Sequence, residues 1–358
     1  MARLPAGTVS PVETRTKRLV ATGLGVAMVG LAGAAATLRT GRRVRREVDP
    51  ALDDPLAPPT DVTHHELETH DGGLLHAVEL PGTGRPIVLL HGVTLQWWVW
   101  SSTIALLRGR HRTVAWDMRG HGRSRAGSEG VTLEAAARDL RLLLESLDLR
   151  DAIVVGHSMG GMVLGRFSIQ HLDVLAERVA GRVFLATSAS TLSIRGLSGG
   201  LIGLTKGLVS VSRASLRNPR LQYPWNENDL SAAMVRGAFG RHPTARMVED
   251  VRTMLAEVTP TTLSEAGASI ASHDVTAELG AVDGPTLVIV GERDLLTPPP
   301  HARAIARLIE GARIEEIPSV GHQVMQEAPD VLVDALDRFG AELDAGPRQP
   351  VEVSEDAR

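Results

Sequence analysis

The chain has 358 residues with 38 Lys and Arg against 42 Asp and Glu, a formal net charge of -4 and a pI near 6.4. That balance supplies no basic field for nucleic acid, and the absence of cysteine excludes disulfides, thiolate nucleophiles and Cys-ligated metals. The length is enough to bury one large core.

Residues 1–18 form a basic N-terminal segment ending in Arg15, Lys17 and Arg18. Leu19 to Leu38 then gives twenty residues without a charge. As a helix rising about 1.5 Å per residue it would reach roughly 30 Å, the hydrocarbon thickness of a bilayer. The expectation is a membrane anchor over residues 19–38. The alternative is a secreted protein after cleavage of a signal segment, because basic residues precede the run and Ala34 to Ala36 put small residues near its end. A packed helix is the third reading, since Gly23, Gly25, Gly30 and Gly33 suit close helix packing. Basic residues flank both ends, so orientation stays open. Residues 39–60, ending in the Pro- and Asp-rich run from Val48 to Thr60, read as a linker.

The main domain is expected over residues 61–345. His64 to Thr69 and Leu74 to Leu80 flank the turn Asp71-Gly72-Gly73 and predict an antiparallel hairpin at a sheet edge. Ile87 to Leu90, Thr113 to Trp116, Ala152 to Val155, Val183 to Ala186 and Thr286 to Val290 are short continuous apolar runs, the pattern of strands buried on both faces. Helical patterns lie between several of them. The clearest begins at Thr132, a candidate N-cap, with Leu133, Ala136, Ala137, Leu140, Leu143, Leu144 and Leu147 on one face. Such alternation predicts a mostly parallel, doubly wound sheet covered by helices. It breaks over residues 191–279, read as an inserted helical cap. Pro329 to Leu343 predicts a final amphipathic helix, and 346–358 a disordered polar tail.

The chemistry-bearing segment is Gly156-His157-Ser158-Met159-Gly160, G-x-S-x-G between a predicted strand and a helical pattern. Small residues at 156 and 160 allow a tight strand-to-helix turn with Ser158 at its tip, raised above the sheet and at a helix N-terminus, where free N–H groups favour developing negative charge.

From His64 to Leu343 the chain resembles the α/β-hydrolase family, serine-nucleophile branch, esterase- or lipase-like, through four separated motifs. His91-Gly92-Val93 is similar to the family's H-G-x turn, Asp117 to Ser124 to its D-x-R-G-x-G-x-S loop, Gly291 to Pro298 to its G-x-x-D-x-x-x-P turn, and Gly321-His322 to the turn before its last helix. The resemblance implies a nucleophile at Ser158, an acid at Asp294 and a base at His322, in the chain order expected for the fold. It also implies an oxyanion hole from the backbone N–H groups of Val93 and Met159. His91, Asp117 and Arg119 are read as scaffold, Glu292 as a rival acid out of register, and Trp97, Trp98 and Trp100 as core rather than catalytic.

The fold expected is therefore an α/β-hydrolase sheet with an inserted cap, preceded by a hydrophobic helix. The activity expected is cleavage of a hydrophobic or lipid-like small-molecule carboxylic ester through an acyl-enzyme, with no cofactor or metal. The aliphatic, Gly-rich run from Leu197 to Val211 is read equally as lid or plain packing. An acyltransferase, a perhydrolase-like peroxidase or a lyase could use the same three residues, and a non-catalytic receptor on this fold is the reading from another class.

Overall fold

The computed structural model describes residues 58–190 and 229–346. The basic segment, the charge-free run at 19–38, most of the linker, the first part of the insertion and nearly all of the tail lie outside the described residues.

Apolar runs with no polar face must be covered on both sides, and the sheet satisfies them that way. Its strands are β1 (Thr63–Glu68), β2 (Leu74–Leu80), β3 (Gly82–Leu90), β4 (Gly109–Asp117), β5 (Ala152–His157), β6 (Val179–Leu185), β7 (Thr286–Gly291) and β8 (Arg313–Ile317), in the spatial order β1-β2-β4-β3-β5-β6-β7-β8. β2 is antiparallel to both β1 and β4, and every other pairing is parallel. The hairpin at Asp71-Gly72-Gly73 thus forms one edge.

Alternate side chains of the central strands enter two cores. Val88, Leu90, Val154, Phe184, Val288 and Val290 face one. Ile87, Leu89, Ile153, Val155, Val183, Leu185, Leu287 and Ile289 face the other. The helices are α1 (Ser101–Leu107), α2 (Leu133–Ser146), α3 (Met159–Gln170), α4 (Leu172–Arg178), α5 (Asp229–Arg236), α6 (Ala245–Glu257), α7 (Pro260–Ala271), α8 (Thr276–Leu279), α9 (Pro299–Leu308), α10 (Val324–Glu327) and α11 (Pro329–Ala345). Helices α2, α3 and α9 close the first core, and α1, α6 and α11 close the second. Thr132 caps α2, its hydroxyl accepting from the Ala135 N–H at 3.2 Å.

β8 has no continuous apolar run. Its sequence RIEEI alternates with partial burial because it is an edge strand with one face toward water. Helices α5 to α8 occupy the described half of the insertion between β6 and β7. α7 is fastened to the body, since Glu265 Oε2 accepts from the Val131 N–H at 2.8 Å and Ser269 Oγ from the Leu133 N–H at 2.9 Å.

The expectation of a membrane-anchored protein is corrected. Among the described residues no helix is long and apolar enough to cross a membrane. Residues 19–38, on which that expectation rested, lie outside the described residues.

Arg119 is almost wholly buried and joins three parts of this frame. It meets Asp139 of α2 at 2.7 Å and Asp71 of the hairpin turn at 3.2 Å, and it donates to the Gly130 carbonyl at 2.7 Å. Removing it strands two carboxylates in a dry site. Arg119→Met is expected to lower unfolding free energy by about 3–5 kcal/mol in urea titration; an unchanged midpoint would exclude this network as a stabilising element.

Candidate active site

Ser158 stands between β5 and α3 with φ 52° and ψ -116°. A residue with a Cβ is held there at a cost of about 1–3 kcal/mol, so its surroundings must impose the turn. A Cβ at Gly156 would come 2.5 Å from the Gly160 carbonyl oxygen, and one at Gly160 would come 2.6 Å from the Leu90 carbonyl oxygen at the end of β3. Only glycine permits these approaches. The Ser158 N–H donates to the Leu185 carbonyl at 3.0 Å, and the Thr187 hydroxyl donates to the Ser158 carbonyl at 2.6 Å.

The turn after β3 runs alongside. A Cβ at Gly92 would lie 3.1 Å from the Ser158 Cβ. The N–H groups of Val93 and of Met159, the first residue of α3, donate to no described residue. Two buried histidines fix this loop to the one after β4. His91 Nε2 accepts from the Met118 N–H at 2.9 Å, so its Nδ1–H donates to the Gly92 carbonyl at 2.7 Å. His121 Nε2 accepts from the Thr94 N–H at 3.2 Å, and its Nδ1–H donates to the Arg119 carbonyl at 3.1 Å. Asp117 has its carboxylate filled by His76 at 2.8 Å and by the N–H groups of Trp97 and Arg123 at 2.9 and 3.1 Å. His91, Asp117 and Arg119 are thus held in structural contacts, and Trp97 and Trp100 are buried in the core.

Asp294 follows β7 and His322 follows β8, and the structure brings them together. His322 Nδ1 donates to Asp294 Oδ2 at 2.8 Å, which leaves Nε2 as the unprotonated nitrogen. The other Asp294 oxygen accepts from the N–H groups of Leu296 and Thr297 at 2.8 and 2.9 Å. Burial alone would raise this carboxyl, but His322 and the two N–H groups outweigh it and hold it below the usual carboxylate range. Glu292 is exposed and accepts from the Ser319 N–H at 3.0 Å, away from the imidazole's partner. Ser158 and His322 line one cavity of about 120 Å³, together with Val93, Leu95, Leu296 and, from the insertion, Met234, Val235, Ala238, Val251 and Leu255. Among the described residues no hydrogen bond joins the Ser158 hydroxyl to the imidazole; such bonds commonly close only around substrate.

Two neighbours had no assignment from the sequence. Thr297 donates its hydroxyl to Asp294 Oδ2 at 2.9 Å and lies 3.3 Å from His322 Nδ1. His157, wholly buried, donates Nε2–H to the His322 carbonyl at 3.0 Å. Both occupy variable positions of their motifs. Their only signal was adjacency to Asp294 and Ser158.

A strained serine after the fifth strand of a mostly parallel sheet, sharing a cavity with a histidine paired to a buried aspartate, places the chain in the class of α/β hydrolases. A model of the alpha/beta hydrolase family matches residues 87–335, and the chain belongs to that family of enzymes. A non-heme haloperoxidase of Rhodococcus erythropolis is 30% identical over 247 residues, 67% of this chain and 86% of that protein. The dihydrolipoyllysine-residue acetyltransferase component of an acetoin cleaving system of Pseudomonas putida is 27% identical over 72% of this chain. The chain spans 64% of that relative's length. Among solved structures, a thermophilic esterase from Thermogutta terrifontis has a TM-score of 0.65 at 25% identity, over 78% of this chain and 99% of that one. An esterase from Exiguobacterium antarcticum shares the fold with a TM-score of 0.68 at 18% identity, over 78% of this chain and 100% of that one.

The buried histidines carry a pH consequence. Burial, aided by His121, pushes His91 down to about 3, and burial with Arg166 pushes His273 down to about 4; burial also lowers His121 and takes His157 well below its ordinary value. In the unfolded chain these groups bind protons near pH 6.5 that the native state refuses. Stability is therefore full above about 6.5 and falls as pH drops, each fully refusing group costing up to about 1.4 kcal/mol per pH unit. Asp250, raised by burial to about 6, works in the opposite sense but is outnumbered, so urea midpoints measured at pH 7, 6 and 5 should decline; a midpoint that rises toward pH 5 would overturn the assignment of neutral rings.

Proposed function

We propose that the protein is a serine hydrolase that cleaves carboxylic esters through an acyl-enzyme on Ser158. The observation that carries this reading is the placement of a strained serine and an Asp294-paired imidazole on one small apolar cavity. His322 Nε2 takes the hydroxyl proton as Ser158 Oγ attacks the carbonyl carbon, and Asp294 stabilises the imidazolium that forms. The oxygen of the tetrahedral intermediate receives the free N–H groups of Val93 and Met159. His322 then protonates the departing alkoxide, and water, deprotonated by the same imidazole, releases the acid.

The described half of the insertion acts as a cap over the acyl group, because Met234, Val235, Val251 and Leu255 come from it. A cavity near 150 Å³ holds a benzene molecule. The space of about 120 Å³ between the described residues is smaller, and on this reading it takes an acyl group of roughly four carbons.

A second reading draws on the relative named a non-heme haloperoxidase. The same acyl-enzyme would yield to hydrogen peroxide instead of water, giving a peracid. Product analysis with peroxide present separates the two.

Chromogenic esters from acetate to decanoate should give the highest kcat/KM at butyrate or shorter, and Ser158→Ala should lower it by at least about 10⁴-fold with loss of fluorophosphonate labelling. A wild type that folds yet neither hydrolyses nor labels would end this reading. A maximum at octanoate or longer would end the short-acyl assignment alone.

A further inference from the structure

The loop carrying His322 is fastened backbone to backbone to the loop that follows α5 in the insertion. The His322 N–H donates to the Ala238 carbonyl at 2.8 Å, and the Arg241 N–H donates to the Ser319 carbonyl at 2.9 Å. Gly240 and Gly321 meet so closely that a Cβ on either would collide with the other loop's main chain. Two N–H groups at this crossing, of Gly240 and Gly321, are taken by one side chain. Glu327, at the end of α10, accepts from the Gly321 N–H at 2.9 Å on Oε1 and from the Gly240 N–H at 2.7 Å on Oε2. Arg236 grips the same insertion loop from its other side, donating to the carbonyls of Phe239 and Gly240 at 3.2 and 2.9 Å.

We propose that Glu327 is a positioning residue for His322, its carboxylate bridging the insertion loop to the histidine loop and so setting where the imidazole stands over Ser158. The inference rests on His322 being the base of the proposed hydrolase. The bridge needs two acceptor oxygens on one planar group. An amide of the same shape offers one oxygen and one NH₂, so it must leave one N–H facing a donor. The loops then separate at Gly321, one residue from the base, and small misplacements of a catalytic group are costly in rate.

The test compares wild type, Glu327→Gln and Glu327→Asp on a short chromogenic ester. Sites are counted by the final extent of fluorophosphonate labelling and folding by the urea midpoint. In Glu327→Gln the rate of labelling and kcat per labelled site are expected to fall together by about 10- to 100-fold, with KM within about twofold and the final extent of labelling complete. Glu327→Asp, whose shorter side chain keeps two oxygens, should recover part of kcat. An unchanged kcat per labelled site, with only a lower urea midpoint, would overturn the proposal and make Glu327 purely structural. Should the amide variant not fold, Glu327→Met, which removes both acceptor oxygens at similar volume, takes its place, and an unchanged kcat per labelled site there would overturn the proposal equally. A wild type that does not label fails the hydrolase reading instead, which separates the two failures.

Discussion

A serine held at φ 52° lies about 1–3 kcal/mol uphill, and Ser158 stays there because its neighbours leave no relaxed alternative. The Leu185 carbonyl and the Thr187 hydroxyl hold its N–H and C=O from β6 and the loop beyond it, while Gly156 and Gly160 let β3, β5 and α3 close to distances any side chain would forbid. The turn in turn sets where everything else must converge. Parallel strands all present their C-terminal ends on one edge of the sheet, so the loops after β3, β5, β6, β7 and β8 gather there. Val93, Ser158, Thr187, Asp294 and His322 each sit within a few residues of such an end.

Around this edge the fold uses imidazole in two ways. His91 and His121 are neutral connectors, each donating to a carbonyl and accepting from an N–H across two loops, and His157 donates to the main chain of His322. A protonated ring would turn each acceptor into a donor facing an N–H, so burial and geometry agree in keeping His91 and His121 uncharged. His322 differs in having a carboxylate on Nδ1, and Asp294 in turn has every acceptor position engaged. On the proposed mechanism this is the one ring at the site able to gain a proton without breaking a contact.

How much of this was legible follows from the kind of signal each part leaves. The central strands showed as apolar runs because both faces are covered, whereas β8 escaped because an edge strand need only alternate, and RIEEI does so with charges. The turn at Ser158 was legible because its geometry demands glycines at fixed offsets. Asp294 and His322, which the structure pairs, were singled out by motif and order among 13 histidines and 42 acidic residues, not by any property of their own. Thr297, His157 and Glu327 meet the site through contacts set by the folded backbone, and Glu327 in particular binds two N–H groups 87 and 6 residues away in sequence. Nothing local marks such a residue.

The insertion meets the site at two depths, and the difference constrains how selectivity can change. Val251 and Leu255 of α6 wall the cavity through their side chains, whereas Ala238 both lines the cavity and accepts the His322 N–H. On the proposed reading, a volume change at Ala238 displaces the backbone that holds the base, so acyl preference and turnover move together there. A change at Val251 or Leu255 alters the space alone. On that reading acyl selectivity can drift through α6 at less cost to rate than through the stretch from Ala238 to Arg241, whose main chain is bonded to the histidine loop.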